Sequence, residues 1–226
     1  MRLQKPYGRI LNISHTNPSR SITFYGRTCY KSIGKVDSET KKKFIQGRIK
    51  AGHLSVIEHE SVTVEVVCDR GVSHELVRHR LAAFSQESTR YCNYKDHVTF
   101  IIPPWTDIKE GTYGVDWMRT TDEIANVWMA AMINAEIKYS SLLSLGWSPQ
   151  QARSVLPNSL KTELIMTANL REWRHIFSLR CDKSAHPQMR EIMIPLLKDF
   201  FLALPDFFED LYEQFIGGNC EREELS

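Results

Sequence analysis

The chain has 226 residues, 42% hydrophobic and 25% charged, the composition of an ordinary globular protein long enough for one sizeable core. A formal net charge of +2 is too small to drive non-specific nucleic-acid binding by counterion release, so any basic site must be local. No run approaches the roughly 20 apolar residues of a membrane-spanning helix. The opening MRLQKPYGRI has no apolar leader segment. Cys29, Cys68, Cys92, Cys181 and Cys220 are dispersed without a C-x-x-C pair, as expected of reduced thiols in a cytoplasmic protein free of membranes.

Taken in chain order, residues 19 to 33 and 38 to 51 read as helices. SVTVEVVCD (61 to 69) is β-branched with near-alternation and reads as a strand. Val72, Leu76, Val77, Leu81 and Phe84 recur at helical spacing and predict a helix over 71 to 83. HVTFII (97 to 102) predicts a second strand, stopped by Pro103-Pro104, and 104 to 118 reads as loop. Thr121-Asp122-Glu123 opens a long helix that ends at Gly146. Ser148-Pro149-Gln150-Gln151 is a capping box with proline at the first helical position, and Asn169 to Glu172 repeats the capping logic. A long apolar stripe from Met189 to Phe215 predicts a helix that Pro195 and Pro205 bend or break. No linker or repeat divides the chain. The expected fold is α+β: a small mixed or antiparallel sheet packed with several long helices in a single domain, residues 1 to 226.

Histidines offer no clear metal pattern, since His53/His59 and His74/His79 lack i,i+4 spacing, and no metal is expected. The stretch RHRLAAFSQESTRYCNY (78 to 94) concentrates cations, hydroxyls and tyrosines. On a helix over 71 to 83, Arg80 falls inside the apolar arc and Arg78 lies near Glu75. An unpaired buried guanidinium is costly, so Arg80 either snorkels to water or meets an anion. If FSQESTRY is extended, Gln86, Ser88 and Arg90 share one face, a donor set suited to a phosphate or a pyrimidine edge. A polar edge strand is the plainer alternative. Ser88 lacks a G-x-S-x-G elbow, so a nucleophilic role is not the default. Further on, Leu170, Trp173, Ile176 and Phe177 form a core stripe that Arg180 extends, with Arg171, Arg174 and His175 on other faces. Arg153 is either a third anion ligand or a C-terminal helix charge.

These segments carry a family resemblance. Arg78-His79-Arg80, seven residues, then Ser88-Thr89-Arg90-Tyr91 resembles the signature of flavin-dependent thymidylate synthases. GHLSVIEHE (52 to 60) is similar to the family's Gly-His-x-x-x-x-Glu-His segment. ARSVLPNSL (152 to 160) resembles its Ala-Arg-x-x-Leu-Pro segment, and ANLREWRHIFSLR with AHPQMREI resembles its C-terminal half. Four segments in the right order cover most of the chain.

The resemblance implies a homotetramer with active sites at subunit interfaces. Each site would take FAD and dUMP, with 5,10-methylenetetrahydrofolate as carbon donor and NADPH as reductant. Reduced flavin would deliver the hydride, so that dTMP and tetrahydrofolate leave. Implied dUMP positions are Glu75, Arg78, Gln86, Glu87, Ser88, Thr89, Arg90, Arg153 and Arg180, with Ser88 and Arg90 on the phosphate. Implied FAD positions are Cys29, His53, Ser55, Glu58, Arg78, His79, Arg80, Gln86, Asn169, Arg171 and His175. Arg180 matches the catalytic arginine beside uracil N3, where a guanidinium favours the ring anion and enriches C5 in electrons. No cysteine is evident for attack at C6. Glu75 stands where several members have Gln, Gln86 where some have Glu, and His175 where some have Asn. Two other readings use the same residues: a nucleotide-binding flavoprotein oxidoreductase without methyl transfer, and a nucleic-acid module built on 78 to 94, which the near-neutral charge disfavours.

Overall fold

The computed structural model describes residues 1–29, 31–32, 37–117 and 120–217. The far end of the helix expected over 19 to 33, position 118 of the expected loop, and Cys220 fall wholly or partly outside those residues. In chain order the elements are strands β1 (Arg2–Gln4) and β2 (Tyr7–Ile13), helices α1 (Pro18–Thr28) and α2 (Ser38–Lys50), and a 3₁₀ turn at Leu54–His59. Strand β3 (Ser61–Asp69), helix α3 (Arg70–Leu76), and strands β4 (Ala82–Gln86), β5 (Thr99–Ile101) and β6 (Gly111–Thr112) follow. Next come α4 (Glu123–Ser144), α5 (Pro149–Ala152) with a 3₁₀ turn at Arg153–Val155, and β7 (Lys161–Asn169). The chain closes with α6 (Leu170–Arg180), α7 (Pro187–Ala203), α8 (Pro205–Tyr212) and a π turn at Glu213–Gly217. Two sheets form, of order β5-β1-β6 and β2-β3-β7-β4. The first is mixed, with β5 parallel and β6 antiparallel to β1. The α+β expectation holds.

Packing gathers the chain into two compact units. One comprises Met1–Tyr7, Val66–Arg78 and Ser85–Leu164, and the other comprises Gly8–Glu65, His79–Phe84 and the chain from Ile165 onward. In the first unit, Met1, Leu3, Val98, Phe100 and Ile102 pack with Met129, Met132, Ile133 and Tyr139 of α4. Glu136 ties this core together by accepting from the Met1 amine at 2.5 Å and from the Val98 amide at 2.9 Å. Helix α4 starts where Asp122 accepts from the Ile124 and Ala125 amides. It ends before Gly146, whose φ of +97° suits a residue without Cβ.

The second unit is built on aromatic packing. Trp173 and Phe177 of α6 lie 5.7 Å apart, and both meet Phe200 of α7, at 4.9 and 5.0 Å. Phe208 of α8 closes the group at 5.8 Å from Phe177. Trp173 keeps its one polar atom satisfied by donating Nε1–H to the Val62 carbonyl at 3.0 Å. Helix α7 continues through Pro195, so that proline does not break it. The interruption is at Leu204, whose non-helical backbone precedes Pro205 at the first position of α8.

Other expectations need correction. The helix predicted over 71 to 83 stops at Leu76, and 82 to 86 is strand. Leu81, read as a core position of that helix, is 76% exposed. Of the apolar residues after Val77 that match helical spacing, Leu81 lies in a turn and Phe84 in strand β4. The strand expected over 97 to 102 contains only 99 to 101, and the expected loop carries β6. The capping box at Ser148 forms, with Gln151 accepting from the Ser148 amide at 2.9 Å, but it starts a single turn rather than a long helix. Arg174, expected on an outer face, is buried. It pairs through Nη1 and Nη2 with both Asp210 oxygens at 2.8 and 2.5 Å.

Truncating the ring at the centre of the aromatic group should cost about 3–5 kcal/mol through lost burial and a residual cavity. Phe177→Ala is therefore expected to lower the urea midpoint sharply with little change in slope, as measured by circular dichroism.

Candidate active site

Loop 86–90 of the first unit is assembled by side chains that sequence alone leaves unconnected. Strand β4 ends at Gln86, whose Nε2 donates to Ser73 Oγ at 3.0 Å and Thr162 Oγ1 at 3.2 Å. The Glu87 amide then donates to the Glu163 carbonyl at 2.8 Å, and Arg70 Nη1 donates to the Glu87 carbonyl at 3.4 Å. The Glu87 carboxylate accepts from Tyr94 Oη at 2.7 Å and from Lys161 Nζ at 3.4 Å. Burial, reinforced by that carboxylate, pushes the Tyr94 phenol up, so it remains a donor.

Beyond Glu87 the chain turns. The Tyr91 and Cys92 amides both donate to the Ser88 carbonyl, at 3.1 and 3.0 Å, and Ser88 Oγ accepts from the Arg90 amide at 3.3 Å. Gln86, Ser88 and Arg90 therefore do not share one strand face, because the strand ends before Ser88. Arg90 is exposed and lies over the Tyr91 ring at 5.4 Å. Buried Thr89 accepts from Arg153 Nη1 at 2.9 Å, which brings Arg153 onto the loop across 64 residues of sequence. Arg78 is exposed and follows α3, its amide donating to the Glu75 carbonyl at 3.2 Å, while Glu75 is half-buried. Arg70 and Lys161, which brace the loop, were not singled out from the sequence. Their signal was only their position at the ends of elements.

The second unit holds a separate polar group on the turn Leu54–His59, on α6, and on residues 79–84. His53, Ser55, Glu58, Arg80, Arg171 and His175 are all exposed. Arg80 does not face an apolar core, because the helix that would have put it there does not form. Arg171 Nη1 pairs with Glu58 at 2.5 Å. Asn169 is the N-cap of α6, its Oδ1 accepting from the Glu172 amide at 2.9 Å. Cys29 is exposed and caps the C-terminus of α1. Behind this surface, Glu60 is fully buried and accepts from the His15 amide at 3.0 Å and from Ser14 Oγ; its own carbonyl accepts from the Leu170 amide at 2.9 Å. No sequence pattern flagged Glu60, which sits just after the Glu58-His59 pair.

His79 is buried, and half-buried Arg180 donates Nε–H to its Nε2 at 3.0 Å. On its other side Nδ1 lies 3.5 Å from Glu172 Oε1, and the His175 ring stands edge-on at 6.1 Å. His79, Glu172 and His175 are close enough to raise the possibility of a metal ion. Neutral imidazole has one lone pair, however, and Arg180 occupies it, so His79 has none left for a metal while that bond stands. Burial, then Arg180 and His175, lowers the His79 pKa to about 4. Burial also pushes the Cys181 thiol up to about 12, which keeps it protonated beside Arg180.

The family described as "Thymidylate synthase complementing protein" matches residues 12–206. A flavin-dependent thymidylate synthase of Geobacter sulfurreducens is 31% identical over 221 residues, covering 94% of this chain and 90% of that one. One from Mycobacterium tuberculosis is 30% identical over 196 residues, covering 84% and 78%. In fold, the chain resembles the UMP/dUMP methylase PolB of Streptomyces cacaoi, solved with 5-Br dUMP. That match has a TM-score of 0.77 and 23% identity over 95% of this chain and 98% of that one.

Between pH 6.5 and about 4, the unfolded chain binds a proton at His79 that the folded chain refuses. His79 thus contributes stability that is complete above that window and is lost as pH falls through it. The melting temperature should decline across the window, and His79→Gln should flatten that part of the profile in differential scanning fluorimetry.

Proposed function

Because the chain belongs to the thymidylate synthase complementing protein family, whose relatives are flavin-dependent thymidylate synthases, we propose that it converts dUMP to dTMP. In this reading 5,10-methylenetetrahydrofolate is the carbon donor, NADPH the reductant and tetrahydrofolate the folate product. The observation that carries it is the Arg153–Thr89 hydrogen bond at 2.9 Å. It joins two segments that independently resemble the family's dUMP-binding segments, and it leaves a cation, a hydroxyl and exposed Arg90 on one loop. Such a set suits a phosphate monoester.

The donor set of the second unit fits a flavin dinucleotide. Arg80 and Arg171 offer cations for a diphosphate, Ser55 a hydroxyl, and His53 and His175 aromatic edges, all exposed. Arg171 is held in place by its ion pair with Glu58. Flavin, when bound, supplies the hydride that completes the methyl group. The chain's own residues then orient dUMP and stabilise charge on its ring. Arg180, always cationic, favours the N3 anion and so raises electron density at C5. Ser88 Oγ and the Arg90 guanidinium hold the phosphate. Glu87 is spent on Tyr94 and Lys161, so its part is to shape the loop.

His53, Ser55, Glu58, Arg80, Arg171 and His175 on the flavin side are exposed in the single chain, as they would be if another copy completed the site. We therefore read the active form as a homotetramer with sites at subunit interfaces. Light scattering should give four times the 26.2 kDa chain mass, and a stable monomer retaining flavin would overturn this. A dTMP-formation assay with dUMP, methylenetetrahydrofolate, FAD and NADPH tests the activity itself. Arg180→Ala should keep flavin but lose about 100-fold in turnover, whereas Ser88→Ala should raise KM for dUMP and retain turnover at saturation. Full activity in Arg180→Ala would end the N3 role, and total loss in Ser88→Ala would favour a nucleophilic serine.

A further inference from the structure

His79 is buried in the middle of a short chain of side chains, Glu172–His79–Arg180. Arginine has only donors and does not lose its charge in proteins. Since Arg180 Nε–H donates to His79 Nε2, that nitrogen must carry the lone pair, and the single proton of the neutral ring sits on Nδ1. Glu172 Oε1 lies 3.5 Å from that nitrogen and is itself buried. The carboxylate is held at this place by the helix start, because the Glu172 amide is the donor that Asn169 caps. Among the described residues, His175, also from α6, is a further titratable group facing the ring.

We propose that His79 is a positioning residue for Arg180, and that Glu172 acts through it by favouring the Nδ1–H tautomer. A guanidinium held at Nε has its plane fixed, so the Nη edge meets a ligand in one orientation without first losing rotamer freedom. If the proton sat on Nε2, it would point at the Arg180 Nε–H and the contact would fail. An imidazolium would fail in the same way and would add repulsion between two cations. This proposal rests on Arg180 acting at the uracil ring, and its test separates the two claims.

The structural half is read on the full chain with ¹⁵N-labelled histidine. Long-range ¹H–¹⁵N spectra at pH 7.5 should show His79, assigned by loss of its signals in His79→Gln, protonated on Nδ1 and bare on Nε2. A proton on Nε2, or on both nitrogens, overturns the proposal whatever the kinetics show. The functional half compares two variants at position 172. Glu172→Leu should lower kcat about tenfold, in the range of changes behind a primary ligand, with flavin content unchanged. Glu172→Gln, whose amide oxygen keeps a partial negative charge facing Nδ1–H, should recover most of that loss. Wild-type kcat in Glu172→Leu, or equal loss in both variants, overturns the role of Glu172. Should Glu172→Leu fail to fold, the spectra of the native chain and the kinetics of Glu172→Gln still decide. Full turnover in Arg180→Ala would instead remove the catalytic role of Arg180 and leave the tautomer result standing.

Discussion

Helix α6 has eleven residues to meet two demands, and the second unit depends on how it divides them. Leu170, Trp173, Ile176 and Phe177 are fully buried, each contributing about 1.5–3 kcal/mol of transfer free energy. The same helix must present Arg171 and His175 to solvent and aim Arg180 at His79. Its rotation about its own axis therefore cannot be adjusted to suit the polar residues. It is fixed by the aromatic group and by the Trp173 bond to Val62, and the polar residues take the directions that remain. Site geometry here follows from core packing: the apolar residues choose the register and the charged ones inherit it.

That dependence explains which features could be read from the sequence. The capping residues Asp122, Ser148 and Asn169 act through local geometry, so their motifs predicted helix starts correctly. β3 was legible over its full length because β-branched residues alternate there. The region after Leu76 was misread because Leu81 and Phe84 match helical spacing by chance, and spacing cannot report that Leu81 faces solvent. Arg80 inherited that error. Its placement on a buried face was an artefact of the assumed helix, although the family pattern had singled out the same residue for a different reason.

The candidate site was legible as a set of residues but not as an arrangement. Two of the four motifs named Thr89 and Arg153 in separate segments, and only the fold shows a hydrogen bond joining them. Residues that brace the site were invisible for a physical reason. Arg70, Glu60 and Lys161 work through partners distant in sequence, and each has an ordinary surface-like neighbourhood along the chain. Arg174 is the clearest instance. A cation in the middle of a helix reads as solvated until Asp210, 36 residues on, is seen to meet it with both oxygens.

Asn169 deserves a different kind of reading, since one side chain answers to two requirements. Its Oδ1 is already committed to the first turn of α6. Replacement by a residue that cannot cap would loosen the helix start and displace Glu172 along with it, so lost cofactor affinity at this position would not by itself identify a contact. Only residues able to cap, such as Asp, Ser or Thr, leave the helix start intact. In a population of variants under selection, position 169 would be filtered for helix geometry before it was filtered for chemistry. Tolerance there would record folding even in an assay designed to report catalysis.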